Sequence, residues 1–166
     1  MSAPLTVVLP DAKAVKDMLT GLTGKPVAVM PGAPVTPTPR SPVAVAVYVD
    51  PHLSVNALCV LDLGASAYTG AALALLPPGG AQDAVAEDGE LTEMLTEALH
   101  EVVNVLSALF NVPGAPHSKL HRLYAPGDEL PGDLAGMLAA FNRLDLAIEV
   151  PGYGKGALSL VVPSGV

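Results

Sequence analysis

The chain has 166 residues, 51% of them hydrophobic, with no Trp and two Phe. That length suits one domain, residues 1–166, burying roughly 70% of the surface its unfolded chain exposes, and a core of Ala, Val and Leu favours a sheet packed by helices. A formal charge of −8 with scattered Lys and Arg repels phosphate backbones and anionic lipid, which argues against nucleic-acid and membrane partners.

Asp11 is placed to cap a first amphipathic helix, with Ala14, Val15, Met18, Leu19 and Leu22 on one side and Gly24 as its stop. Residues 26–30 read as a short strand, and the proline-studded connector after them reads as extended and superficial, since proline fixes φ and removes a donor. In residues 42–50 Val alternates with Ala or Tyr, the clearest strand pattern in the chain. Residues 54–63 give the next strand, and the two are expected to pair antiparallel across the turn at Pro51 and His52.

Gly64 is expected to end that strand, and residues 65–76 read as a helix stopped by Pro77 and Pro78. The acidic stretch 81–90 then leads into a long helix at residues 91–110. Residues 119–124 are a candidate strand, 134–142 a short helix, and 143–150 with 156–162 a closing hairpin turned at 151–155. Antiparallel strands with helices gathered on one face make an α+β layer fold.

Cys59 lies in an apolar run with no second cysteine, as expected of a buried small hydrophobe in a reducing compartment. The N-terminus lacks the basic and apolar regions of a signal peptide. The most apolar stretch, 55–76, is broken by Asp62, Gly64 and Gly70, so a cytoplasmic protein is expected. His117 and His121 are four apart but have no third ligand near in sequence, so no metal site is expected there. The GYGKG run lacks the spacing of a phosphate loop, and Ser66 lacks the flanking glycines of a nucleophile elbow.

The long helix carries the remaining candidates. Leu91, Met94, Leu95, Ala98, Leu99, Val102, Val105, Leu106 and Leu109 make its expected buried stripe. Opposite run Glu93, Glu97, His100, Glu101, Asn104, Ala108 and Asn111, with Val103 intruding. Glu101 and Asn104 are three apart, about 300° of helix rotation, and so stand side by side on one face. A solvated helix face explains such a pair equally simply. Against that, Asn is a poor helix former, and its place among Val and Leu costs stability that Ala or Gln would not.

The run AYTGAALALLPPGG, the acidic lead-in and LTEALHEVVNVLSALFN together resemble the CheX-like branch of the CheC/CheX/FliY chemotaxis phosphatases, over most of the chain. The specific motif is EVVN, residues 101–104. The resemblance implies a phosphatase acting on the phosphoaspartate of a CheY-type response-regulator receiver domain. Asn104 would be the amide that aligns the attacking water, and Glu101 the acid that pairs with a receiver cation. It implies no cofactor of the domain's own, the Mg²⁺ being held by the partner receiver, and a homodimer joined through sheet edges. The first helix offers only Asp17 and Thr20 at the corresponding spacing, so one site at most is expected. The bulky run 105–110 after the Asn suits an alternative, a CheX-like domain that binds or dimerises without catalysis.

Overall fold

The structure, a computed structural model, describes residues 7–140 and 142–163. The N-terminal residues 1–6 and Phe141, the latter expected within the short helix, lie outside the described residues.

The first helix, α1 (Ala12–Thr23), begins where the Asp11 carboxylate accepts from Ala14 N–H at 2.8 Å and ends at Gly24 with φ of 71°. Three strands follow: β1 (Ala28–Pro31), β2 (Val43–Val49) and β3 (Val55–Asp62). After the middle helices come β4 (Lys119–Tyr124), the short helix α5 (Gly132–Leu138), β5 (Arg143–Val150) and β6 (Gly154–Val161). One six-stranded sheet results, in the order β1-β5-β6-β3-β2-β4, with every neighbouring pair antiparallel. The expected β2–β3 and β5–β6 pairs are both present.

Alternation divides the sheet into two faces. Ala44, Ala46 and Tyr48 of β2 join Ala57, Cys59 and Leu61 of β3 and Leu158 and Leu160 of β6 beneath α1 and the middle helices. The opposite set, Val43, Val45, Val47, Val49, Leu58, Val60 and Val161, faces Leu134 and Leu138 of α5 together with Val35 from the connector. The short helix therefore lies on the far side of the sheet from the long one, which corrects the expectation that the helices all gather on one face: the alternate Val and Leu side chains of β2 and β3 leave a second apolar face that α5 and the connector cover. A polar chain fastens that cover. Val35 N–H donates to Ser159 Oγ at 3.0 Å, Ser159 Oγ donates to Asp145 at 2.6 Å, and Arg143 donates both to Asp145 at 2.9 Å and to the Leu138 carbonyl ending α5 at 2.7 Å.

The middle of the chain differs from expectation in two ways. The third strand ends at Asp62, one residue before the expected bound, and Gly64 lies inside helix α2 (Leu63–Leu73) instead of ending the strand. Asp62 caps that helix, accepting from Ala65 N–H at 2.8 Å, so strand passes to helix without a loop. Residues 64–72 are buried all round, and only small side chains fit there. A Cβ on Gly64 would sit 2.6 Å from the Lys155 carbonyl oxygen, which identifies close approach to β6 as the reason for the glycine.

The acidic lead-in is also helical. It forms α3 (Pro78–Asp83) and a wide π turn, Ala84–Asp88, closed by Gly89 at φ 68°. Proline at the start of α3 costs no hydrogen bond, because the first N–H groups of a helix have no internal partner. Cys59 is fully buried on the helix-covered face, and that burial pushes its thiol well above the ordinary range, consistent with the packing role expected of it.

Candidate functional site

The long helix α4 (Glu93–Leu106) starts where the Thr92 hydroxyl accepts from Leu95 N–H at 3.1 Å, and it continues as a 3₁₀ turn, Ser107–Phe110. Its inner face packs on α2 at a point that a side chain would obstruct. A Cβ on Gly70 would lie 3.2 Å from Leu99 N and 3.3 Å from Ala98 Cβ.

The buried stripe is turned from the expected one. Leu95, Ala98, Leu99, Val102, Val103 and Leu106 are buried, whereas Met94 is 60% and Val105 37% exposed. Val103, expected between the two faces, belongs to the inner one, where α4 leans on Tyr48 and towards β4. The outer face therefore combines Glu93, Glu97, His100, Glu101, Asn104 and Ala108 with the exposed apolar side chains of Met94 and Val105.

Both candidate residues are exposed, and no hydrogen bond from another described residue engages either side chain. Beneath them the backbone is unusually fixed. Tyr48 Oη donates to the Val103 carbonyl at 2.6 Å in the core, taking the oxygen that Ser107 N–H would meet in a continuing α-helix. Ser107 instead turns its N–H to the Asn104 carbonyl, and its hydroxyl donates to the same oxygen at 2.7 Å. The tilted Phe110 ring, 5.4 Å from Tyr48 centroid to centroid, closes the arrangement. Tyr48, read in the sequence only as a strand residue, thus holds the α4 carbonyl one residue before Asn104, close to where the helix gives way to the tighter turn at Ser107. Tyr48→Phe is expected to leave the Val103 carbonyl without its partner and to cost about 1–3 kcal/mol, a fall in melting temperature of roughly 2–4 °C for each kcal/mol, read by thermal denaturation.

Asn111 does not continue the outer polar line. Its amide donates to Ser107 and Ser118 carbonyls at 3.3 and 2.9 Å and its oxygen accepts from Ser118 N–H at 2.7 Å, joining the end of the 3₁₀ turn to the start of β4. His117 and His121 are exposed, and among the described residues no group of three or more His, Cys, Asp or Glu is placed to hold a metal ion. Ser66 Oγ donates to its own helix at the Asp62 carbonyl, 2.7 Å away, in a fully buried position closed to substrate. Asp17 of α1 is paired with Lys13 at 2.8 Å.

An apolar groove of about 630 Å³ runs beside this face, between α1 and the C-terminal end of α4. Ala14, Met18, Gly21 and Leu22 form one wall and Val105, Ala108, Leu109 and Val112 the other.

The overall fold is shared with known structures. The FliM middle domain of Vibrio alginolyticus superposes with a TM-score of 0.58 at 12% identity, covering 92% of this chain and 88% of that one. FliY of Thermotoga maritima gives 0.57 at 12% identity, over 90% and 82%. A chain of the CheX–CheY–BeF₃–Mg²⁺ complex of Borrelia burgdorferi gives 0.51 at 11% identity, over 92% and 94%. The fold is that of the CheC/CheX/FliY group. At the level of sequence no protein-family profile and no curated protein matches the chain. The likeness is therefore one of fold. Among the described residues no helix is long and apolar enough to cross a membrane.

Proposed function

We propose that this CheX-like domain hydrolyses the phosphoaspartate of a CheY-type receiver domain. The observation that carries the reading is the pair Glu101 and Asn104, exposed one turn apart on a helix of a CheC/CheX/FliY-type fold, with neither side chain engaged by a hydrogen bond from another described residue.

An acyl phosphate is already reactive, so hydrolysis lacks chiefly a water held in line behind phosphorus. The Asn104 amide suits that task because it accepts through Oδ1 and donates through Nδ2 without titrating. The water oxygen bonds to phosphorus as the bond to the aspartyl oxygen breaks. The receiver's carboxylate leaves with the electron pair, and the water's proton passes to phosphate or solvent. The Mg²⁺ that neutralises the phosphoryl oxygens belongs to the receiver. Glu101 meets a cation of the receiver and fixes the register of the two proteins.

The test is the decay of a CheY-type receiver phosphorylated from acetyl phosphate, followed with and without the domain. Faster decay with the domain is the expected result, and unchanged decay refutes the reading. Glu101→Ala is expected to weaken binding of a beryllofluoride-loaded receiver by about tenfold, as a charge-assisted contact worth about 1.5 kcal/mol implies, measured by calorimetry.

The likeness to FliM middle domains favours a second reading, a domain that binds a signalling partner without turnover. FliM has been crystallised in complexes with FliG and with SpeE. Binding of the loaded receiver with no acceleration of decay distinguishes this reading. A homodimer through sheet edges would use β1 or β4, the outer strands of the sheet.

A further inference from the structure

We infer that the groove between α1 and the end of α4 receives an apolar side chain of the receiver, from a segment that also presents Lys or Arg to Glu101. This inference rests on the phosphatase reading and adds to it a specificity site separate from the water-aligning amide.

The groove exists because α1 settles on the sheet through Val15 and Leu19 and approaches α4 only sparsely, while Ala14, Gly21 and Ala108 supply little bulk to fill the gap. Val105 and Val112 remain partly exposed along it. A gap of about 630 Å³ with this lining has ample room for a Leu, Met or Phe side chain.

Position on the helix relates the groove to the candidate pair. Advancing about 100° per residue, Glu101 lies about 40° from Val105, and Asn104 lies about 60° beyond Glu101 on the side away from the groove. Glu101 thus stands between the amide and the apolar wall. A receiver with its phosphoryl group over Asn104 and its cation against Glu101 has the groove next in line for its neighbouring side chain.

Charge defines the occupant further. Glu93, Glu97 and Glu101 follow one another at four-residue spacing on α4. Like charges at that spacing oppose helix formation. The ion pairs among the described residues, Lys13–Asp17 and Arg143–Asp145, leave all three glutamates without a cation. On α1, Asp17 adds a further carboxylate to the groove's lining. A basic, amphipathic segment relieves this repulsion while its apolar side chain leaves water. An acidic or purely polar segment does neither.

Gly21 provides a way to fill the groove without disturbing the fold. A Cβ there meets nothing within 4 Å, and replacing a mid-helix glycine favours α1. The experiment measures calorimetric affinity for a beryllofluoride-loaded CheY-type receiver with wild type, Gly21→Phe and Ala108→Phe, alongside melting temperatures. At least tenfold weaker binding by both filled variants, with melting temperature held, is expected. If both bind as wild type does while wild type still accelerates phosphate loss, the groove inference is overturned and the phosphatase reading stands. If wild type neither binds the receiver nor accelerates its decay, the phosphatase reading fails and takes this inference with it.

Discussion

Asn104→Ala is expected to lower the rate of receiver dephosphorylation at saturating enzyme by about a hundredfold, with the folded state intact. Removing one correctly placed hydrogen-bonding group from a site that works by alignment costs rate on that order. The loss cannot be assigned to unfolding, because Asn104 is exposed, its side chain supports no other described residue, and Ala is the better helix former by several tenths of a kcal/mol. Asn104→Asp separates alignment from simple polarity. A carboxylate accepts from water but repels the phosphoryl oxygens, so that variant should be as slow as Asn104→Ala or slower. Single-turnover decay of the phosphorylated receiver reads both, and wild-type rates in either variant remove Asn104 from the chemistry.

Gly156→Ala is expected to destabilise the protein by about 3 kcal/mol, the upper part of the range for overpacking, lowering the melting temperature by roughly 6–12 °C. Here β6 passes directly under the start of α2. A Cβ on Gly156 would lie 2.2 Å from Ala65 N and 2.6 Å from Ala65 Cα, and those are backbone atoms with no rotamer to change. Relief requires the buried helix to move off the sheet, which opens the contacts that α2 makes with α4. Gly79→Ala is the control: a Cβ at Gly79 meets nothing within 4 Å, and thermal denaturation should place that variant near wild type. Equal melting temperatures for Gly156→Ala and wild type would mean that helix and strand are not this close.

The strands were legible because alternation leaves a clear period: 42–50, 119–124 and 143–150 fall within a residue of β2, β4 and β5. The α+β class followed from those strands and the order of elements. Helix α2 was harder to bound, since a helix buried all round has no polar face and Gly64 looks like a terminator when its purpose is to let β6 approach. The acidic lead-in gave no helical signal of its own because neither α3 nor the π turn that follows it is long enough to display a helical period.

At the site, the sequence gives the spacing of Glu101 and Asn104 but not the rotation of α4. Val103, not Val105, faces the core, where Tyr48, 55 residues away in the chain, meets its carbonyl. The groove was illegible for the same reason: Ala14, Gly21 and Ala108 are unremarkable until α1 and α4 are seen side by side. The far-side cover is fastened by bonds that no helix or strand period announces, from Arg143 to the Leu138 carbonyl five residues back and from Val35 to Ser159, 124 residues away in the chain.

The central claim is that the Asn104 side chain itself meets the phosphoryl group of a docked receiver. Its amide can be observed directly by ¹⁵N-asparagine labelling and NMR, with the Asn104 signals assigned from their absence in Asn104→Ala. Adding a beryllofluoride-loaded CheY-type receiver should shift the Asn104 side-chain signals strongly and leave those of the clamped Asn111 amide close to their free positions. A bound receiver that leaves the Asn104 signals unmoved would contradict the account.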